Sequence, residues 1–208
     1  MKNHNISFVS LTGVLTILIF LIFTFTAVSM FSGDYNPLNN YLSDLGNSSY
    51  NSNGAIFFNL GCIITGLLLI LFFYGFKIWY KTGKHGKNLL ITSQLVGIYA
   101  SFSLIMVGVF SEDYGPLHWI WSASFFLSLM FTLILSNIYL LNHSQFIKKI
   151  AYYGFFVVFI DIMFIIIYIL KMNISASLFE WITVLLSLVW AGMIAYNINI
   201  IYLNNKQH

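Results

Sequence analysis

Six continuous apolar runs constrain this chain more than any other feature: about residues 7–31, 55–79, 89–110, 117–141, 151–170 and 178–203. Each is near the ~20 residues a helix needs to cross a bilayer core. The runs do not alternate apolar with polar, so they read as helices rather than strands. Composition identifies the solvent. The chain is 59% hydrophobic and 7% charged, whereas a soluble domain carries about 25% charged residues. The expected fold is an all-α, polytopic membrane bundle of six transmembrane helices, with residues 1–208 forming a single membrane domain. The links are too short for a separate soluble unit. Lys2 precedes the first apolar run as in a signal peptide, but the run is too long for one, so it reads as a membrane helix.

Charge orders the bundle. All nine cations are lysines, and Lys2, Lys77, Lys81, Lys84, Lys87, Lys148, Lys149 and Lys206 fall on one side if the helices alternate. Only Lys171 falls on the other. The positive-inside rule then predicts cytoplasmic termini and a multi-pass protein of the cell membrane. Five of the six acids, Asp34, Asp44, Glu112, Asp113 and Glu180, gather at the opposite, outer rim with His118. Lysines that flank membrane segments exclude a nucleic-acid face. The single cysteine, Cys62, lies in an apolar run and reads as a small packing residue.

Ser93, Gly97 and Ser101 form a small-residue stripe on the third run, and Ser124, Ser128, Thr132 and Ser136 form one on the fourth. Such faces let helices approach closely. The tight link between these two runs predicts antiparallel neighbours packed through the stripes. Trp79, Tyr80, Trp119, Trp121, Tyr152, Tyr153 and Trp181 stand near segment ends, as an interfacial aromatic belt does. The polar loop Ser32 to Gly54 is long for a helix–helix link, a length that favours a functional or mobile segment.

The chemistry concentrates at the short turn from Ser111 to His118. Glu112, Asp113 and His118 are candidate metal ligands, since carboxylates and an imidazole can hold a divalent ion that activates water. Asp44, Glu112, His118 and Glu180 are candidate catalytic groups, with Asn59 just below them. Ser43 or Ser122 with His118 and an acid is a conceivable nucleophilic arrangement. The structural alternative is that His118 bridges a carboxylate or loop carbonyl and fixes the turn. Asp161 is an intramembrane acid, a functional-site hypothesis by default. It is expected to be protonated and hydrogen-bonded to a serine or asparagine of another helix, in a packing role or a proton relay.

The chain resembles the membrane family called domain of unknown function 998 over most of its length. The likeness rests on Tyr41-Leu42-Ser43-Asp44-Leu45-Gly46, on Phe58-Asn59-Leu60-Gly61 with Gly66, and on Gly108-Val109-Phe110-Ser111-Glu112-Asp113 with His118 and Phe125-Phe126. Glu180-Trp181 completes it. The family's proline before the acidic turn and before the last glutamate is replaced by Ser111 and Phe179. The resemblance implies a six-helix fold and a set of marked positions, and supplies no reaction or cofactor. The function expected is an outer polar site that binds a lipid headgroup or small solute, with membrane lipid as its partner. The alternatives are a membrane-embedded, metal-dependent hydrolase acting on lipid at the outer leaflet, and a structural subunit whose rim contacts a protein partner.

Overall fold

The computed structural model describes residues 6–82 and 87–206. Lys2, Lys84 and the side chain of Lys81 lie outside the described residues. Six helices are long and apolar enough to cross a membrane, and no strand forms among the described residues. They are α1 (Phe8–Ser29), α2 (Ala55–Tyr74), α3 (Lys87–Val109), α4 (Pro116–Leu140), α5 (Lys148–Ile169) and α6 (Ala176–Lys206).

Helices and apolar runs agree to within a turn except in α2, which leaves α geometry at Gly75 and continues as a 3₁₀ helix to Thr82. Two contacts accompany the change. Val9 of α1 lies where a side chain at residue 75 would stand, so the backbones approach closely there. The Gln94 amide donates to the carbonyls of Phe73 and Tyr74 at 3.0 and 2.9 Å, adding side-chain bonds where the geometry changes. At its start α4 carries Pro116, whose missing N–H costs nothing at a first helical position. Gly115 precedes it at φ 52°, a backbone conformation that side chains disfavour.

Each helix packs on its neighbours in the chain, and α6 returns to α1, closing a ring. At the lysine-rich end the closure is polar: the Ser7 N–H donates to Asn199 Oδ1 at 3.0 Å. Phe72, Phe73, Phe76, Trp79 and Trp190 fill the ring at this end, touching edge to face or tilted. The acidic end is more open, and the loop between α1 and α2 folds over it.

The stripes are packing faces, but their partners are not only each other. Ser93 donates to the Thr132 carbonyl of α4, whereas Gly97 abuts Phe73 of α2 and the Ser101 carbonyl abuts Gly66 of α2. Hydroxyls of Ser128, Thr132 and Ser136 return to carbonyls of their own helix. The aromatic belt also needs correction. Trp119 and Tyr152 are exposed, but Trp79 is fully buried in the aromatic plug and Trp181 is buried against Tyr35. A tryptophan at a segment end turns inward when the link beside it folds back over the bundle, as Phe146 does over Trp79.

Candidate functional site

The long polar loop is ordered by its own asparagines. Short amide side chains bond to nearby backbone and mimic turns. Asn36 Oδ1 accepts from the Leu38 N–H, Asn40 Oδ1 from the Asn36 N–H, and Asn47 Oδ1 from the Ser49 N–H. Asn51 is fully buried. Its amide donates to the carbonyls of Ala27 and Leu45, both at 3.0 Å, while its oxygen accepts from the Gly54 N–H at 3.1 Å. One side chain thereby ties the end of α1, the loop and the start of α2 together. Asn59 adds a bond from α2 to the Gly46 carbonyl at 3.0 Å.

This loop contains a 3₁₀ turn, Ser43–Gly46, that carries Asp44 inward. The Asp44 carboxylate accepts from the Tyr41 N–H at 2.8 Å. Glu180, in the first turns of α6, accepts from the Leu42 N–H at 2.7 Å. Glu112 comes from a second 3₁₀ turn, Glu112–Tyr114, between α3 and α4. Its carboxyl faces Asp44 and Asn47, and its Oε2 is sealed from solvent without a well-formed hydrogen bond. Burial, then the neighbouring Asp44 charge, push Glu112 up to about 7. Burial raises Asp44 above its ordinary value too, but the Tyr41 N–H and the side chains of Glu112 and Asn40 pull it back. Burial and mutual repulsion therefore favour a shared proton on this pair at pH values where a free glutamate has already lost its own.

Asp113 does not join them. It accepts from the Ser48 N–H at 3.0 Å and from the hydroxyls of Ser48 and Ser111, each at 2.8 Å. Burial alone would raise it, but these bonds outweigh burial and hold it below the usual carboxylate range. Adjacent acids thus part: Glu112 turns inward as an acid, and Asp113 turns outward as an anion clamping the two loops together. His118 spends both ring nitrogens elsewhere, Nδ1 on the Phe110 carbonyl at 2.8 Å and Nε2 on the Ser122 hydroxyl at 3.1 Å. The three candidate metal ligands therefore face three different partners, and no metal-holding group of three His, Cys, Asp or Glu side chains forms among the described residues.

A cavity of about 520 Å³ lies beside these groups, within the ~300–1,000 Å³ typical of ligand pockets. Glu112, Glu180, His118, Ser43, Asn47 and Ser122 form its polar end. Its other walls are apolar: Trp119, Ala123, Phe126 and Leu127 of α4, and Phe164, Ile165, Tyr168 and Ile169 of α5. Trp119, Leu127, Tyr168 and Ile169 also reach the outer surface of the bundle, so the cavity opens sideways between α4 and α5. A second cavity of about 80 Å³ continues into the ring, sharing Ser43, Ser122, Phe126 and Glu180 with the first. It includes Cys62 in its lining and meets the aromatic plug at Phe73 and Trp190.

Asp161 belongs to neither cavity lining. It is fully buried in α5, and neither carboxylate oxygen has a hydrogen-bond partner. The expected bond to another helix does not form. The walls contributed by α5 and the role of Asn47 escape sequence reading, because nothing in an all-apolar helix marks which side faces a cavity. The Asn-rich loop between α1 and α2 was the one available signal.

A family model described as "Protein of unknown function (DUF998)" matches residues 14–197. No curated protein and no solved structure gives a significant match.

Proposed function

Because the chain belongs to the DUF998 family of proteins of unknown function, we propose its role from its own geometry: a multi-pass membrane protein that binds an amphiphile from the outer leaflet. The observation that carries this reading is the lateral cavity, apolar along α4 and α5 and closed by Glu112, Glu180 and His118 at one end. An amphiphile matches both halves, with its chain between the helices and its head against the carboxyls. A wholly polar solute would leave the apolar walls unpartnered.

The head chemistry follows from charge. Glu112 and Glu180 line the polar end, and among the described residues no lysine lines it. An anionic phosphate would find no counter-charge there, so the site favours a neutral, hydroxyl-rich head. The aromatic plug supports retention of the ligand rather than conduction through the ring.

Placing this end outside follows from lysine segregation. In a Cys62→Ala background, Tyr50→Cys, exposed on the loop, is expected to react with an impermeant maleimide on intact cells.

The binding test uses protein in nanodiscs and a monoacylglycerol with a photoreactive diazirine in its chain. Crosslinks are expected on Leu127, Phe164 and Ile165, and Ala123→Trp is expected to remove them by filling the cavity. Crosslinks spread equally over other lipid-facing residues, such as Phe25 of α1, would sink the reading.

A further inference from the structure

We propose that Ser122 and His118 form a nucleophile–base pair that cleaves a carboxylic ester in the amphiphile held by the lateral cavity. The proposal rests on the cavity reading above and adds an activity to it.

The hydrogen bonds define the chemistry. A carbonyl oxygen only accepts, so the 2.8 Å contact between His118 Nδ1 and the Phe110 carbonyl places the ring proton on Nδ1. In the neutral ring Nε2 then carries the lone pair, and Ser122 at 3.1 Å donates to it. A nucleophile bonded to a base whose other nitrogen is held by a third group is the arrangement that activates serine hydrolases. Here a backbone carbonyl replaces the usual carboxylate.

Ser122 also departs from the habit of its own helix. Helical serines and threonines commonly return their hydroxyl to a carbonyl one turn back, as Ser128, Thr132 and Ser136 do in α4. Ser122 instead bonds the imidazole.

Position fits an ester. Ser122 is half-buried and lines both cavities. It lies one helical turn beyond His118, with Ala123, Phe126 and Leu127 following on the same cavity wall. An amphiphile with its head at Glu112 and Glu180 and its chain between α4 and α5 brings the bond joining head to chain to Ser122. Ser43 lines the same two cavities, and its hydroxyl is the proposed donor for the oxyanion.

In the reaction, Ser122 Oγ bonds to the ester carbonyl carbon as its proton passes to His118 Nε2. The tetrahedral adduct collapses, the bond to the alcohol oxygen breaks, and Nε2 returns the proton to the departing alcohol. Water then attacks the acyl-serine, with His118 taking and returning its proton. A carboxylic acid leaves and Ser122 is restored. The sum is ester plus water to acid plus alcohol. Because a neutral carbonyl stabilises the imidazolium less than a carboxylate does, turnover is expected to be slow.

The test is covalent labelling in nanodiscs with a decyl fluorophosphonate, read by peptide mass. One phosphonyl group is expected on Ser122, absent in Ser122→Ala. His118→Asn is expected to slow labelling by about 100-fold, the scale of a lost general base. The diazirine monoacylglycerol is crosslinked in parallel to every variant. Crosslinking to α4 and α5 with Ser122 labelled no faster than Ser124 would overturn the catalytic pair and leave amphiphile binding standing. Loss of wild-type crosslinking to α4 and α5 would overturn both readings. An intact crosslink in Ser122→Ala shows that its lost label is not a folding defect.

Discussion

Glu112→Gln is expected to make the folded protein more stable at pH 8 while changing little at pH 5. Below 4.5, the ordinary value of this carboxyl, it is neutral in both the folded and the unfolded chain. As pH rises from there the unfolded chain releases its proton, but the folded chain holds it until about 7, because burial and the Asp44 charge oppose ionisation. The unfolded state is therefore increasingly favoured across this window, and the stability present at low pH is lost by about pH 7. Each pH unit in the window is worth about 1.4 kcal/mol, so the full span would be roughly 3.4 kcal/mol. Solvent reaches part of the side chain, and screening brings the expected loss to about 1–2 kcal/mol. Glutamine keeps the size and a donor toward Asp44 and cannot ionise. The assay is reversible unfolding in bicelles by steric trapping at pH 5, 6, 7 and 8. The wild type should lose stability along this series, and Glu112→Gln should follow a flatter line. Parallel lines for the two proteins would refute the argument, since groups other than Glu112 titrate alike in both and cancel in the difference.

Three further substitutions test the frame around the site. Asn51→Ala removes bonds to two buried carbonyls and one N–H, so a loss of about 2–4 kcal/mol is expected in the same assay. Gly66→Leu puts its first carbon 2.7 Å from the Ser101 carbonyl of α3. It should cost about 1–3 kcal/mol by forcing α2 and α3 apart, and a neutral result would remove close approach as the reason for glycine. Asp161→Val replaces a buried carboxyl that has no partner. It should stabilise the bundle by about 1–2 kcal/mol, and a destabilised variant would show that the carboxyl has a partner after all.

Asp113 and Glu112 illustrate what local sequence does not contain. They are adjacent, chemically alike, and lie in one short turn, so sequence ranks them together as metal candidates. Their fates differ because Ser48 meets one and Asp44 meets the other, and both partners come from a loop more than sixty positions away. His118 was legible as the histidine of that end, yet its partners, Phe110 and Ser122, depended on how α3 hands over to α4. Trp79 and Trp119 both stand at segment ends, and only packing separates the buried ring from the exposed one.

Sequence alone determined the solvent, the six spans, their limits to within about a turn except at the end of α2, and the segregation of lysine from acid. Those are sums over neighbours along the chain: about twenty apolar residues in a row enter lipid whatever lies elsewhere. The closed ring, the aromatic plug, the approach of Glu112 to Asp44 and the cavity between α4 and α5 were decided by tertiary structure. In water a helix advertises its buried face by being polar on the other. In lipid both faces are apolar, and only the packed bundle selects the side that looks inward.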